Sequence, residues 1–447
     1  MQREDRASLR AGLTKVLRTV VYLAVLPVLL LVAGPGRAGD AWPQFRGPHG
    51  DGVSAARKLP LVWSETNNIA WKVPVPGRGR SSPVVLGNRI WLTTALGQGL
   101  GKARMGPDDV QTAEHITFEA VCLDRTDGKI LWETPLFDVD KPAPVHRLNS
   151  WATPTPVVEP GQLYCDFGTF GTACVDAKTG KVLWRQRLAL DHQVGPGSSP
   201  VLWQNLLLLV RDGCDAQYVA ALDKQTGQTV WKTDRPPINT PTADLRKAFA
   251  TPLMVRSGGR EQMIAAGPHW IVSYNPATGK EIWRARHGQG FSFGSSPVFG
   301  HGMALFSTGC FKAELWAIRV DGEGDVTSTQ VAWKCLRQIP VMSSPVLAGD
   351  ELYWISDEGI ACCADVRSGE VHWQKRLGGT YLASPLSADG CVYFFAHDGK
   401  TTVVKAGRQF EQLAQNFLAG PLAATPALLD GAIFLRTDSH LYQIRKQ

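Results

Sequence analysis

The chain has 447 residues, 44% of them hydrophobic and 19% charged. That apolar content fills a sizeable core, and the low charge excludes an intrinsically disordered chain. The formal net charge of +7 is concentrated at the start, where Arg3, Arg6, Arg10, Lys15, Arg18 and Arg37 face only Glu4 and Asp5; the remainder carries too little excess for a nucleic-acid surface.

The basic stretch to Arg18 precedes an apolar run over 20–33, followed by the small residues Gly36 and Ala38 around a cleavage point. This is the plan of a secretory signal peptide over 1–38, with an uncleaved N-terminal anchor as the alternative. The run is short for a membrane span and Pro27 interrupts it. Export to the periplasm or the medium is expected, and the domain to be explained is 39–447. Its nine cysteines cannot all pair with one another. Cys122, Cys174 and Cys363 stand in a small-residue slot two positions before a turn aspartate, which points to packing and not to a disulfide framework.

The domain is organised by a signature of Ser or Thr, Pro, and then a small or aliphatic residue. It recurs at Ser82-Pro83, Thr155-Pro156, Ser199-Pro200, Thr251-Pro252, Ser296-Pro297, Ser344-Pro345, Ser384-Pro385 and Thr425-Pro426. After a longer first interval the spacing is roughly 40 to 50 residues, the period of β-propeller blades. Proline fits the start of an innermost strand, because an edge needs no amide donor there.

A second beat follows in five units. Asp124, Gly128 and Trp132 are matched by Asp176, Gly180 and Trp184, by Asp223, Gly227 and Trp231, by Asn275, Gly279 and Trp283, and by Asp365, Gly369 and Trp373. The Asp or Asn side chain can accept amide hydrogens of the turn, and glycine takes the positive φ that closes the hairpin. The tryptophan, in the outer strand, is placed to pack on the adjoining unit. Three units deviate. The first carries an insertion, about 96–115, expected as a long loop; the fifth reaches Trp333 late; the seventh has no tryptophan. The eighth runs out after three strands, and Trp71, in an orphan outer-type strand near the N-terminus, is the expected donor of its fourth. The expectation is an all-β, eight-bladed propeller of four-stranded antiparallel blades, its ring closed by the N-terminal strand.

The motif Asp-x-x-Thr-Gly-x-x-x-Trp resembles the pyrroloquinoline-quinone (PQQ) repeat, and Trp42-Pro43-Gln44-Phe45-Arg46-Gly47-Pro48 resembles the opening of exported BamB-like propeller proteins. The resemblance implies the propeller fold and says less about function, since such repeats dock blades with or without a quinone. In quinoprotein alcohol dehydrogenases it would imply PQQ beside calcium and an adjacent-cysteine disulfide. Cys362-Cys363 is such a pair, but neighbouring strand residues point to opposite faces, so the thiols should diverge.

Other chemistry finds no motif. Asp321, Glu323 and Asp325 open like a calcium loop, but Val326 replaces its glycine and Ala332 its closing acid. No metal-ligand spacing, nucleophile elbow or phosphate loop is present. The segments before each signature gather at the channel mouth, and the candidate binding residues there are Arg78, Arg80, Arg147, Asn149, Trp151, His192, Lys247, Phe293 and Tyr381, with His146, Phe249, Phe291 and Met342 beside them. Basic groups next to aromatics suit an anionic small molecule or an extended peptide. The expectation is a monomeric binding or scaffold module without catalytic or metal residues, its partners envelope proteins or peptides; the alternative is a PQQ- and calcium-dependent dehydrogenase or quinone sensor.

Overall fold

In a computed structural model, residues 40–446 are described, apart from Pro107 and Gln289. The expected leader over 1–38 lies outside them. Each signature opens an inner strand, and each unit is an antiparallel meander built outward from it. The third is representative: Val201–Trp203, Leu206–Asp212, Gln217–Asp223 and Thr229–Asp234. Its second and third strands are almost wholly buried, because both sheet faces are covered by neighbours. Seven units supply all four strands from consecutive sequence. The eighth consists of Ala427–Leu429, Ala432–Arg436 and His440–Arg445, and its fourth strand is Ile69–Pro74, antiparallel to His440–Arg445.

The turn aspartate, glycine and tryptophan work as one docking device. Asp223 Oδ1 accepts the amides of Gln225 and Thr226 at 3.0 and 2.9 Å, and Gly227 closes the turn at φ 73°. A side chain at Gly227 would also strike Trp184 of the preceding unit, whose Cε3 lies 2.6 Å from the position a Cβ would take. The Trp184 indole then donates to the Lys224 carbonyl at 2.9 Å. The same contact recurs where Trp71 lies on Gly128, Trp132 on Gly180, Trp231 on Gly279 and Trp333 on Gly369. Glycine is therefore required twice, for its φ and for its bare face.

Trp283 departs from this device. The fifth unit has no glycine turn to receive it, so it is fully buried and donates to Gln262 Oε1 at 2.8 Å within its own unit. The exposed edge of that unit is instead capped in parallel by Gly324–Asp325, so the acidic stretch 321–325 acts as an edge cover. Trp373 meets the irregular seventh unit by donating to the Gly407 carbonyl at 3.1 Å.

The insertion is a correction to the expected loop. Arg89–Gln98 and His115–Asp124 are ten-residue strands that pair throughout their length. Beyond them Gly101–Met105 and Asp108–Thr112 form a hairpin, and Val145–His146 adds to it as a third strand. Its glycines bend the chain and do not dissolve the sheet: Gly99 and Gly106 take φ of 58° and 59°.

The segment around 42–54 lies across the inner strands and touches the signatures. Trp42 exchanges backbone hydrogen bonds with Val85, Pro43 accepts from Val158, and Ser54 donates to Ser387. Arg46, fully buried, donates to the carbonyls of Asp51 and Pro345 at 2.7 and 2.6 Å. One short segment thus ties units far apart in sequence. Among the described residues no helix is long and apolar enough to cross a membrane.

Gly227→Ala should lower unfolding stability by roughly 2 kcal/mol or more, since it combines a positive-φ penalty with a clash against a packed indole. Urea unfolding followed by tryptophan fluorescence measures this. A change of less than about 0.5 kcal/mol would mean that the turn and the indole are not coupled.

Candidate functional site

The signature hydroxyls form a relay around the inner strands. The amide of each signature residue donates to the hydroxyl of the next: Ser82 to Thr155, Thr155 to Ser199, Ser199 to Thr251, Thr251 to Ser296, Ser296 to Ser344, Ser344 to Ser384, and Ser384 to Thr425, all at 2.9 to 3.0 Å. This explains why Ser or Thr precedes every proline. The hydroxyl was visible at each copy in the sequence, but the proline rule alone gave it no task.

Inside the relay is a cavity of about 450 Å³, within the usual range of small-molecule sites. Phe45, from the crossing N-terminal segment, contributes to its wall with Ser82, Thr155, Ser199, Thr251, Ser384 and Thr425. Its polar lining includes Arg80, Asp108, His146, Asn149, Asp244 and Lys247, and its apolar lining includes Phe249, Phe291, Met342, Leu382 and Ala423. Asp108 comes from the hairpin of the first unit, so the insertion reaches this end of the domain.

Of the candidates named from sequence, Arg80, Asn149 and Lys247 line the cavity, together with His146, Phe249, Phe291 and Met342. Lys247 is almost fully enclosed; its ammonium donates to Gln193 Oε1 at 2.6 Å and pairs with Asp244, and burial holds its pKa below the ordinary lysine value. Arg80 gives one guanidinium nitrogen to the Leu148 carbonyl. His146 lies 3.9 Å from Asp108, and burial still keeps its pKa below the ordinary value. Asn149 is fastened to the Val194 and Pro196 carbonyls, each at 3.1 Å. Met342 is positioned by Asp357, whose Oδ1 accepts its amide at 3.2 Å and that of Val341 at 3.1 Å. Burial raises the Asp357 carboxyl to about 6.

The other candidates do not line the cavity. Arg78 and Arg147 stand on the exposed rim, where Arg78 donates to Gln111 at 3.1 Å and Arg147 lies 3.9 Å from Asp109, both on the hairpin. Trp151, Phe293 and Tyr381 are buried in the core, since a large ring beside a signature gains more from packing between units than from the channel. His192 is buried against Phe170 and borders a separate void of only about 10 Å³ with Asp166, Ser198 and Arg211. Missed from sequence were Asp108, Phe45 and the exposed Phe311, whose ring lies 5.2 Å from that of Phe291.

Cys362 and Cys363 belong to different cores; they are free thiols that burial raises to about 12, and neither borders the cavity. Among the described residues no three His, Cys, Asp or Glu side chains cluster as a metal would require. No indole lines the cavity, and Asp244, one of its two carboxylates, is engaged by Lys247. These groups do not fit a quinone clamped beside calcium.

Fold, repeat and central cavity define a β-propeller of the PQQ-repeat class. The chain belongs to the family described as outer membrane protein assembly factor BamB, whose model matches residues 117–290 and 269–413. It is 26% identical over 218 residues to BamB of Alkalilimnicola ehrlichii, covering 47% of this chain and 44% of that protein. It is 21% identical over 355 residues to tetrathionate hydrolase of Acidithiobacillus ferrooxidans, covering 74% and 66%. The chain thus spans less than two thirds of either curated relative. Among solved structures it is similar to quinohemoprotein alcohol dehydrogenase from Comamonas testosteroni, with a TM-score of 0.59 at 10% identity over 92% of this chain and 81% of that one, a likeness of fold alone.

Stability should fall with acid because of His192, which burial and the Arg211 charge push down to about 3. The unfolded chain protonates this imidazole below about 6.5 while the folded one does not. The folded state therefore loses stability as pH drops from about 6.5 toward 3. In His192→Gln the urea midpoint should fall less steeply between pH 6.5 and 4 than in the wild type; equal slopes would show that the imidazole is not buried uncharged.

Proposed function

We propose that the protein is an exported, non-catalytic propeller that acts as a binding or scaffold module in the cell envelope, and that it presents the cavity mouth and its hairpin rim to partner proteins or peptides. The observation that carries this reading is the composition of that end. A rim with basic side chains and the exposed Phe311 surrounds a cavity whose ionisable groups are mostly engaged with one another or with backbone. Membership of the BamB family supports a place in envelope protein assembly. The first 38 residues are read as the export signal, and 39–447 as one propeller domain working as a monomer.

In the same reading the eight sheets are eight blades, and Ile69–Pro74 closes the ring as the outer strand of the last. The contact of Trp71 with Gly128 supports this, because it is the docking used between successive units. Trp71→Ala should then cost about as much as Trp231→Ala, on the order of 3 kcal/mol in urea. A Trp71 variant within about 0.5 kcal/mol of wild type would break the closure.

Enzymatic readings draw on the relatives named hydrolase and dehydrogenase, at low identity. Cross-linking in intact envelopes tests the binding role. Wild-type protein should capture a discrete partner, and the double variant Phe311→Asp, Arg147→Glu should lose it while keeping its melting temperature. Calorimetry with PQQ and calcium should show no heat of binding. Unchanged capture by the double variant, or tight calcium-dependent PQQ binding, would overturn the reading.

A further inference from the structure

The outer docking device is missing from both sides at one junction. In the regular units the docking tryptophan stands opposite the third-strand residue that precedes a register shift: Cys122 faces Trp132, Cys174 faces Trp184, Ala221 faces Trp231 and Cys363 faces Trp373. In the seventh unit the matching pair is Val403 and Ala414, the latter in the outer strand Gln412–Phe417. The eighth unit has no hairpin turn to receive an indole, because its outer strand Ile69–Pro74 comes from the other end of the domain. An absent ring beside Ala414 would leave a void, and a void that size is costly.

The space is filled from elsewhere in the chain. Trp63, only 2% exposed, lies in one core with Leu59, Tyr393, Val403 and Tyr442, and Ala414 packs against that core. The Trp63 amide donates to Asn416 Oδ1 at 2.9 Å, and Asn416 Nδ2 donates back to the Leu61 carbonyl at 2.9 Å. The amides of Arg57 and Lys58 donate to Asp430 of the eighth unit and Asp389 of the seventh, each at 2.8 Å. Glu65 Oε1 accepts the Ala419 amide at 2.8 Å and the Tyr442 hydroxyl at 3.1 Å. Further along, Trp71 docks the eighth unit on the first, its indole donating to the Arg125 carbonyl at 3.2 Å. One continuous segment, 57–74, therefore holds both flanks of the eighth unit.

We propose that residues 57–74 are a latch on the eighth unit, and that latch and unit open together as one body before the rest of the domain unfolds. Every other unit is built from consecutive strands. This one keeps its outer strand and both flanking indoles only while the segment stays docked, and the terminal unit of a repeated array is the one that opens first. Released, the segment regains the conformational freedom that docking removes. Ala423 and Thr425 of the eighth unit line the cavity, so this opening parts the cavity wall there. The inference goes beyond the binding-module reading and rests on the ring closure for Trp71 alone.

Hydrogen exchange of the full chain, followed by mass spectrometry of its peptides, tests the latch. In the wild type, peptides from 57–74 and 427–445 should exchange together, at least tenfold faster than those from 201–234. Trp63→Ala should speed exchange in both on the order of a hundredfold and change 201–234 by less than about threefold. Asn416→Ala, which removes both backbone ties to the segment, should give the same pattern at about tenfold and keeps the test open should Trp63→Ala fail to fold. Adding Ala414→Trp to Trp63→Ala should recover at least about tenfold, since the ring then comes from the seventh unit itself; added to the wild type it should speed exchange by overpacking. Loss of protection spread evenly over all units, release of the segment without the eighth unit, or no recovery by Ala414→Trp would each overturn the proposal. A silent Trp71→Ala beside a full Trp63→Ala response would overturn ring closure and support the latch at the seventh unit.

Discussion

The relay of backbone amide to signature hydroxyl is the constraint on which the domain depends. Each unit is a short meander with a bare inner edge, and an edge amide buried near the axis must find an acceptor. The neighbouring unit supplies one through its Ser or Thr. Proline in the next position removes the following amide from the problem and sets φ for the strand that leaves the axis. At seven junctions one hydrogen bond of this kind therefore helps set the spacing of neighbouring units.

The outer rim is governed by a different contact. There the indole of one unit lies on the glycine turn of the next, and the tryptophan N–H ends on a turn carbonyl. Inner and outer contacts together leave little freedom for a unit to tilt. Where the outer contact is lost, another device replaces it: the fifth unit lacks the turn, so Trp283 turns inward to Gln262 and Gly324–Asp325 covers the edge.

The cavity is a consequence of this construction. Inner strands held by short side chains leave a space between them, lined largely by the signature residues and those that precede them. In this chain all the charged ones, Arg80, Asp244 and Lys247, fall in the first four units, with the apolar Val194 and Phe249 among them, while Phe291, Met342, Leu382 and Ala423 fall in the rest. The segment carrying Phe45 and Arg46 then crosses the inner strands, and Phe45 joins the cavity wall.

Much of this was legible in the sequence, because it depends on local rules that repeat. The period of the prolines, the Asp-to-Gly-to-Trp spacing and the orphan strand at Trp71 each reflect one strand or one turn, and sequence neighbours decide those. The divergence of Cys362 and Cys363 follows equally from the two-residue period of a strand. What the sequence could not determine was which side chains before each signature point to the channel. Trp151, Phe293 and Tyr381 resemble Arg80 and Lys247 in position, and only contacts with other units decide that the rings are buried and the cations line the cavity. The junction filled by Trp63 and the path of the 42–54 segment belong to the same class, since both join residues more than 300 positions apart. Local chemistry determines the unit, and only the tertiary structure decides what the units enclose.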